Sequence, residues 1–227
     1  MIKLNRKIFN AALTRSTFLD HTEDYKNRRE SYWAAAKKDY ASKGKPLWNG
    51  TVCTIDAVSE TTEEVIFELG ICEYKDIIFP VTMKKENDYN PQYANVQCLI
   101  EDKEGNILFG MVDEKLVCVG GTLRIDDFPI NGFGDIEKYM VDEIITETFF
   151  LPNNNISCIG FSSEKNIGTF VFKYTVKDSF LNQNSYLKRG EFSDEIIILK
   201  KDFKKYNDLF NERLTSISDL LLELKIL

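Results

Sequence analysis

Histidine is almost absent from this chain: His21 is the only one in 227 residues. No multi-histidine metal site can be built, and a Ser/His/Asp or Cys/His triad has only that residue to use. His21 stands alone in a charged stretch and reads as a surface residue. Cysteine is scattered. Cys53, Cys72, Cys98, Cys118 and Cys158 form no C-x-x-C unit, which excludes a zinc ribbon and a thioredoxin-type motif. Four of them (Cys53, Cys98, Cys118, Cys158) lie in β-like apolar runs, so buried, reduced thiols in a cytoplasmic protein are expected. No stretch approaches the ~20 apolar residues of a membrane span. The opening MIKLNRKIFNAAL has basic residues but no sustained apolar core or small-residue cleavage site, so no signal peptide is expected. Positive charge is in deficit, with 29 Lys and Arg against 36 Asp and Glu. The resulting net charge of −7 argues against a mainly electrostatic nucleic-acid binder.

The apolar content is ample for a buried core, with no disulfide or metal staple needed at this length. Residues 20–43 read as a helix, capped by Asp20 or Thr22, with Tyr25, Arg29, Trp33, Ala36 and Tyr40 at helical spacing and Gly44 and Pro46 ending it. TVCTIDAV (51–58) and EEVIFELG (63–70) flank a polar tip and read as a hairpin, with IIFPV as a further β segment. The polar, turn-rich stretch 84–92 marks a boundary between an N-terminal extension, 1–90, and a second unit, 91–227.

The second unit reads as strands at 96–102 and 107–113, then KLVCVGGTL (115–123) running into a double glycine. A loop at 124–134 leads to a helix at 135–148. ISCIGFSSE (156–164) pairs with TFVFKYTV (169–176), and EIIILKK (195–201) is another strand. Phe210, Leu214, Ile217, Leu221 and Leu224 mark an amphipathic C-terminal helix. It suits core packing better than a homodimer seam because the repeat is short. The mixed order argues for an α+β or α/β sandwich with helices on both sheet faces.

The helix DIEKYMVDEIITET carries the candidate chemistry. Glu143 and Glu147 stand one above the other, and Tyr139 extends their stripe. Two carboxylates at this spacing repel, and a divalent cation relieves the repulsion; without one the pair is a solvated acidic face. Mg²⁺ prefers such oxygens and keeps waters for substrate phosphates. Gly120 and Gly121 either let the backbone approach a phosphate or allow a sharp strand exit. Gly44-Lys45 lacks the rest of a P-loop, and Gly132-Phe133-Gly134 is no dinucleotide fingerprint.

This order of strand, double glycine, loop, acidic helix and strand resembles the Nudix hydrolase superfamily. Asp142-Glu143-Ile144-Ile145-Thr146-Glu147 falls on the R-E-U-x-E-E end of its signature box, with Asp142 in place of the arginine and Thr146 in place of the middle glutamate. Asn49-Gly50, followed by Leu69-Gly70-Ile71-Cys72-Glu73-Tyr74-Lys75-Asp76, is similar to the UDP-glucose diphosphatase branch, whose box is lengthened.

The resemblance implies a Nudix-type α/β/α sandwich with a mixed sheet and an N-terminal α+β extension. It implies a Mg²⁺- or Mn²⁺-dependent diphosphatase acting on a nucleotide-sugar or another nucleoside diphosphate derivative. Metal would fall to Glu143, Glu147 and Asp135, and catalytic roles to Glu143, Glu147, Glu191 and Glu195. Gly120, Gly121, Tyr74 and Lys75 would contact substrate. Two other readings are a Nudix-fold nucleotide-binding or regulatory protein without turnover, and an interaction domain using the C-terminal helix.

Overall fold

A computed structural model describes residues 2–3, 8–13, 22–44, 47–85, 90–126, 128–152, 156–164, 166–180, 186–187, 192, 194–210 and 212–223. Asp20, His21, Glu191 and Leu224 lie outside the described residues.

Among the described residues ten strands form one mixed sheet. The hairpin read from 51–70 is present and longer: β3 (Thr51–Glu60) pairs antiparallel with β4 (Glu64–Glu73). Thr61 makes the turn, its hydroxyl accepting the amides of Glu63 and Glu64. At the sheet's centre is β5 (Tyr93–Glu101), paired in parallel with β9 (Ile167–Thr175), which forms the expected hairpin with β8 (Ile156–Glu164). β6 (Asn106–Val112) pairs with β5, with β7 (Lys115–Val117) and with β10 (Asp194–Leu199). Two strands were not read from the sequence. β1 (Ile2–Lys3) pairs with β8, and β2 (Ile8–Leu13) lies parallel to β4.

Successive β5 side chains point to opposite faces, and each face has its own core. On one side Val96, Cys98 and Ile100 meet Phe67, Phe161 and Phe170 under Ile136, Met140 and Ile144 of α3 (Phe133–Glu147). On the other, Leu99, Phe109 and Val171 meet Leu214, Ile217 and Leu221 of α4 (Glu212–Glu223). The architecture is thus the expected α+β sandwich with helices on both faces, and the C-terminal stripe packs into the core. Phe210 precedes α4, closing a 3₁₀ run at Lys200–Leu209.

α1 (Glu23–Ser42) is capped by Thr22, which accepts the Tyr25 amide at 3.2 Å, and the chain leaves it through Gly44 at φ +71°. Its buried stripe is shorter than the spacing predicts: Tyr25, Arg29 and Trp33 are buried, Ala36 is half-buried and Tyr40 is exposed.

The β segment expected at IIFPV is corrected. Residues Tyr74–Ile78 form α2, and Val81–Met83 a 3₁₀ turn. A capping box explains the switch, because the Asp76 carboxylate accepts the Glu73 amide at 3.2 Å and closes a helical turn. Pro80 then supplies no amide for a ladder.

All five cysteines are free thiols; Cys158 is half-buried and the other four are buried. Burial pushes each thiol pKa up. Among the described residues no helix is long and apolar enough to cross a membrane.

Candidate active site

The segment after β7 wedges β3 and β5 apart. The Leu123 amide donates to the Ala94 carbonyl at 3.0 Å, and the Cys53 amide donates to the Leu123 carbonyl at 2.9 Å. The double glycine lies in this wedge. Gly120 has φ +136°, and a Cβ there would lie 2.2 Å from the Val96 carbonyl oxygen, so only glycine fits. Its amide donates to Glu147 Oε2 at 3.0 Å. A Cβ on Gly121 would stand 3.5 Å from Glu143 Oε1, an ordinary contact. Both glycines therefore lie against the two carboxylates.

Residues 139, 143 and 147 of α3 are spaced four apart and line one side of a cavity of about 340 Å³. Glu147 is buried and Glu143 half-buried, whereas Asp142 and Thr146 are exposed and do not line it. Tyr139 is buried, and its phenol donates to the Thr122 carbonyl at 2.9 Å and accepts Arg124 Nε at 3.4 Å. Burial, with the Glu143 charge second, holds its pKa well above the ordinary range.

Leu47, Trp48, Tyr74, Thr122 and Arg124 complete the lining with Gly120 and Gly121. Trp48 and Tyr74 rings lie 5.8 Å apart, and the Arg124 guanidinium sits 5.9 Å over Trp48. Asn49 and Gly50 hold this side together. Asn49 accepts the Lys75 amide at 3.1 Å and donates to Glu73 Oε1 at 3.3 Å, and the Tyr74 amide donates to the Gly50 carbonyl at 2.9 Å. A Cβ at Gly50 would run into the Trp48 ring at 1.8 Å. The two short motifs singled out in the N-terminal segment thus meet in space.

The cavity brings together Glu143, Glu147, Gly120, Gly121 and Tyr74 from the sequence-derived set. The others lie elsewhere. Lys75 turns to the α1 side, with Nζ 2.8 Å from Glu30 and 3.0 Å from Glu73. Asp135 opens α3, where its carboxylate accepts Lys138 Nζ at 2.8 Å and the Asn131 amide at 3.0 Å; the lysine holds its pKa below the ordinary value. Glu195 Oε2 accepts the amides of Tyr186 and Leu187 at 2.7 and 3.0 Å. Neither Asp135 nor Glu195 lines the cavity. Sequence reasoning missed Trp48 and Arg124. The available signals were a tryptophan one residue before Asn49-Gly50 and an arginine four residues after Gly120.

Among the described residues no group of three or more His, Cys, Asp and Glu side chains is placed to hold a metal. The carboxylates that line the cavity are those of Glu143 and Glu147. That set suits a hard cation such as Mg²⁺, which takes one or two carboxylates and fills its remaining positions with water and phosphate oxygens.

The fold and site define an α+β protein with a glutamate-lined cavity at a strand–Gly-Gly–helix junction. No family model matches the chain, and no curated protein matches it. Solved structures do. Tm1382, a protein assigned to the Nudix hydrolases, has 16% identity over 61% of this chain and 75% of its own, with a TM-score of 0.47. The NUDIX domain of Shewanella oneidensis NrtR, crystallised with ADP ribose, has 12% identity over 63% of this chain and 96% of its own, at 0.44. A bifunctional NMN adenylyltransferase/ADP ribose pyrophosphatase from Francisella tularensis has 15% identity over 61% of this chain, at 0.43; the match spans only 42% of that protein.

Proposed function

We propose that this protein is a divalent-metal-dependent hydrolase that cleaves the diphosphate of a nucleoside diphosphate-linked substrate, with a UDP-sugar as first choice. The carrying observation is the placement of Glu143 and Glu147 on one cavity wall, each against a glycine of the segment that follows β7. Glu143 and Glu147 would hold Mg²⁺ or Mn²⁺, which when bound neutralises phosphoryl charge and acidifies a water. The Gly120 amide fixes the Glu147 carboxylate. Arg124 offers its guanidinium fork to a phosphate, and the Trp48 and Tyr74 rings offer a face to a base. Residues 1–90 contribute Leu47, Trp48 and Tyr74, so the N-terminal extension takes part in substrate choice. Free thiols throughout suit a reducing cytoplasm.

Incubation with UDP-glucose and Mg²⁺ at mildly alkaline pH is expected to release UMP and glucose 1-phosphate. Glu143→Gln and Glu147→Gln should each cut turnover ~100-fold. No release across a panel of nucleotide sugars and dinucleotides overturns the reading.

One observation favours a second reading, a nucleotide-binding or regulatory protein without turnover. Asp142 and Thr146 occupy the arginine and middle-glutamate positions of the resembled box, and both are exposed away from the cavity. Binding of a UDP-sugar by calorimetry with no Mg²⁺ requirement and no product would favour it, and turnover lost in Glu143→Gln would exclude it.

A further inference from the structure

A buried part of the sheet's α4 face is polar. Asn95 and Gln97 of β5 and Thr169 of β9 are 0%, 2% and 0% exposed. They alternate with Val96, Cys98 and Phe170 of the α3-side core and share parity with Leu99 and Val171, so their side chains lie on the α4 face. Asn95 stands opposite Thr169 in the parallel β5–β9 ladder, and Gln97 follows two residues on. Buried Ser162 of β8 continues the row beyond Thr169. Four atoms of this group have no hydrogen-bond partner among the described residues: Asn95 Nδ2, Asn95 Oδ1, Gln97 Oε1 and Thr169 Oγ1. Exchanging the two ends of the Asn95 amide cures nothing, since both ends are orphaned. Left dry, such groups are less favourable than apolar residues of the same shape, which β5 and β9 use at most of their other buried positions. The group lies behind the wedge, on the opposite face from the glutamate cavity. Here the wedge takes the place of β3 beside β5: Asn95 bridges to Thr122, and the Val96 amide donates to the Gly121 carbonyl at 2.9 Å.

We propose that Asn95, Gln97 and Thr169 hold buried, ordered water on the α4 face of the sheet. Water suits the set because it both donates and accepts. The two amide oxygens need donors, the Asn95 Nδ2 needs an acceptor, and the Thr169 hydroxyl serves either way. A monovalent cation would satisfy the three oxygens and leave the Asn95 Nδ2 unpaired, so it fits less well. Asn95 lies between Ala94 and Val96, whose backbones bond to Leu123 and Gly121, so the bound water backs the strand that carries the wedge. The inference does not depend on the hydrolase reading.

The test reads the sign of stability changes in the intact protein by urea unfolding. Thr169→Val keeps the shape and branching of the side chain and removes only its hydroxyl. If the hydroxyl bonds water, that water loses a partner, and the variant's unfolding constant should rise about fivefold. If the hydroxyl is dry, its removal relieves a desolvation cost and the variant is more stable than wild type. Gln97→Met should likewise destabilise. Shared water also couples the sites: Asn95→Leu should raise the unfolding constant about threefold less in the Thr169→Val background than in wild type. Stabilisation by either Thr169→Val or Gln97→Met overturns the proposal, as do strictly additive costs. Exchange of sodium chloride for choline chloride at constant ionic strength should leave the wild-type urea midpoint unchanged; a fall identifies a bound cation and overturns the assignment to water. A high-resolution crystal structure of the wild type should show water within about 3.2 Å of at least two of the four atoms. A protein group seated against them instead would overturn the proposal.

Discussion

The Gly120 amide donates to Glu147 Oε2 at 3.0 Å, which ties the wedge segment after β7 to the last turn of α3. The two glycines of this wedge answer to different constraints, and substitution separates them. Gly120→Ala places a methyl 2.2 Å from the Val96 carbonyl oxygen at φ +136°. It should destabilise the fold by about 3 kcal/mol. Gly121→Ala meets Glu143 only at 3.5 Å and should cost under ~1 kcal/mol while altering activity. Urea unfolding of both variants, with the m-value unchanged, checks the contrast.

Asp76 and Arg29 form a buried ion pair at 2.5 Å, with the Tyr25 phenol donating to the same carboxylate oxygen at 3.0 Å. This pair seats α1 against α2 and so supports the start of α2, where Tyr74 enters the cavity. Asp76→Ala leaves the guanidinium only Glu30 and Glu73, at 3.0 and 3.4 Å, and deprives the Tyr25 phenol and the Glu73 amide of their acceptor; it should cost about 3 kcal/mol. The double variant Arg29→Met/Asp76→Leu should recover only the part of that loss due to the buried charge, because the α2 cap and the acceptor of the Tyr25 phenol stay lost. A double-mutant cycle by denaturant melts measures it.

Asp102 gives the stability a defined acid limb. Its buried carboxylate accepts four hydrogen bonds, from the amides of Glu104, Asn106 and Phe180 and from Asn106 Nδ2. Burial alone raises its pKa, but the bonds from Asn106 and the backbone amides outweigh that and leave it below the ordinary 3.8. The stabilisation is therefore present above about pH 4 and is lost as pH falls through the lowered value. Asp102→Asn should cost about 2 kcal/mol at pH 7, and the gap to wild type should narrow below pH 4. Urea melts between pH 3 and pH 7 follow the convergence.

The thiols give a simple probe of the core. Desolvation raises the pKa of all five cysteines, and four are fully enclosed. Native protein at pH 8 should react with a thiol reagent many-fold more slowly than a free cysteine. All five should react at once in denaturant, with no prior reduction. Rapid native labelling would contradict the packing of both faces.

Much of the architecture follows from local pattern. Period-two runs marked the β3–β4 and β8–β9 hairpins, and 3.6-residue spacing marked α1, α3 and α4, because side-chain direction depends on the backbone alone. Glu143 and Glu147 were legible for the same reason, since four residues is one helical turn. IIFPV misled because its apolar run suits a strand as well as a short helix. The decision lay with Asp76, whose carboxylate both caps α2 and pairs with Arg29, 47 residues earlier.

The sequence by itself determined most of the elements, though not β1, β2 or α2, and the acidic stripe of α3, because these are set by side-chain direction within one or two turns of chain. Only the tertiary structure decided what shares the cavity. Trp48 stands before β3, Tyr74 opens α2, Arg124 ends the wedge and Tyr139 belongs to α3. No spacing rule relates positions that far apart. They meet because the wedge segment bonds to β3 and β5 at once, while the Asn49-Gly50 corner bonds to the start of α2. The same long-range packing leaves Lys75, Asp135 and Glu195 outside the cavity, where each is held by partners that the linear sequence does not reveal.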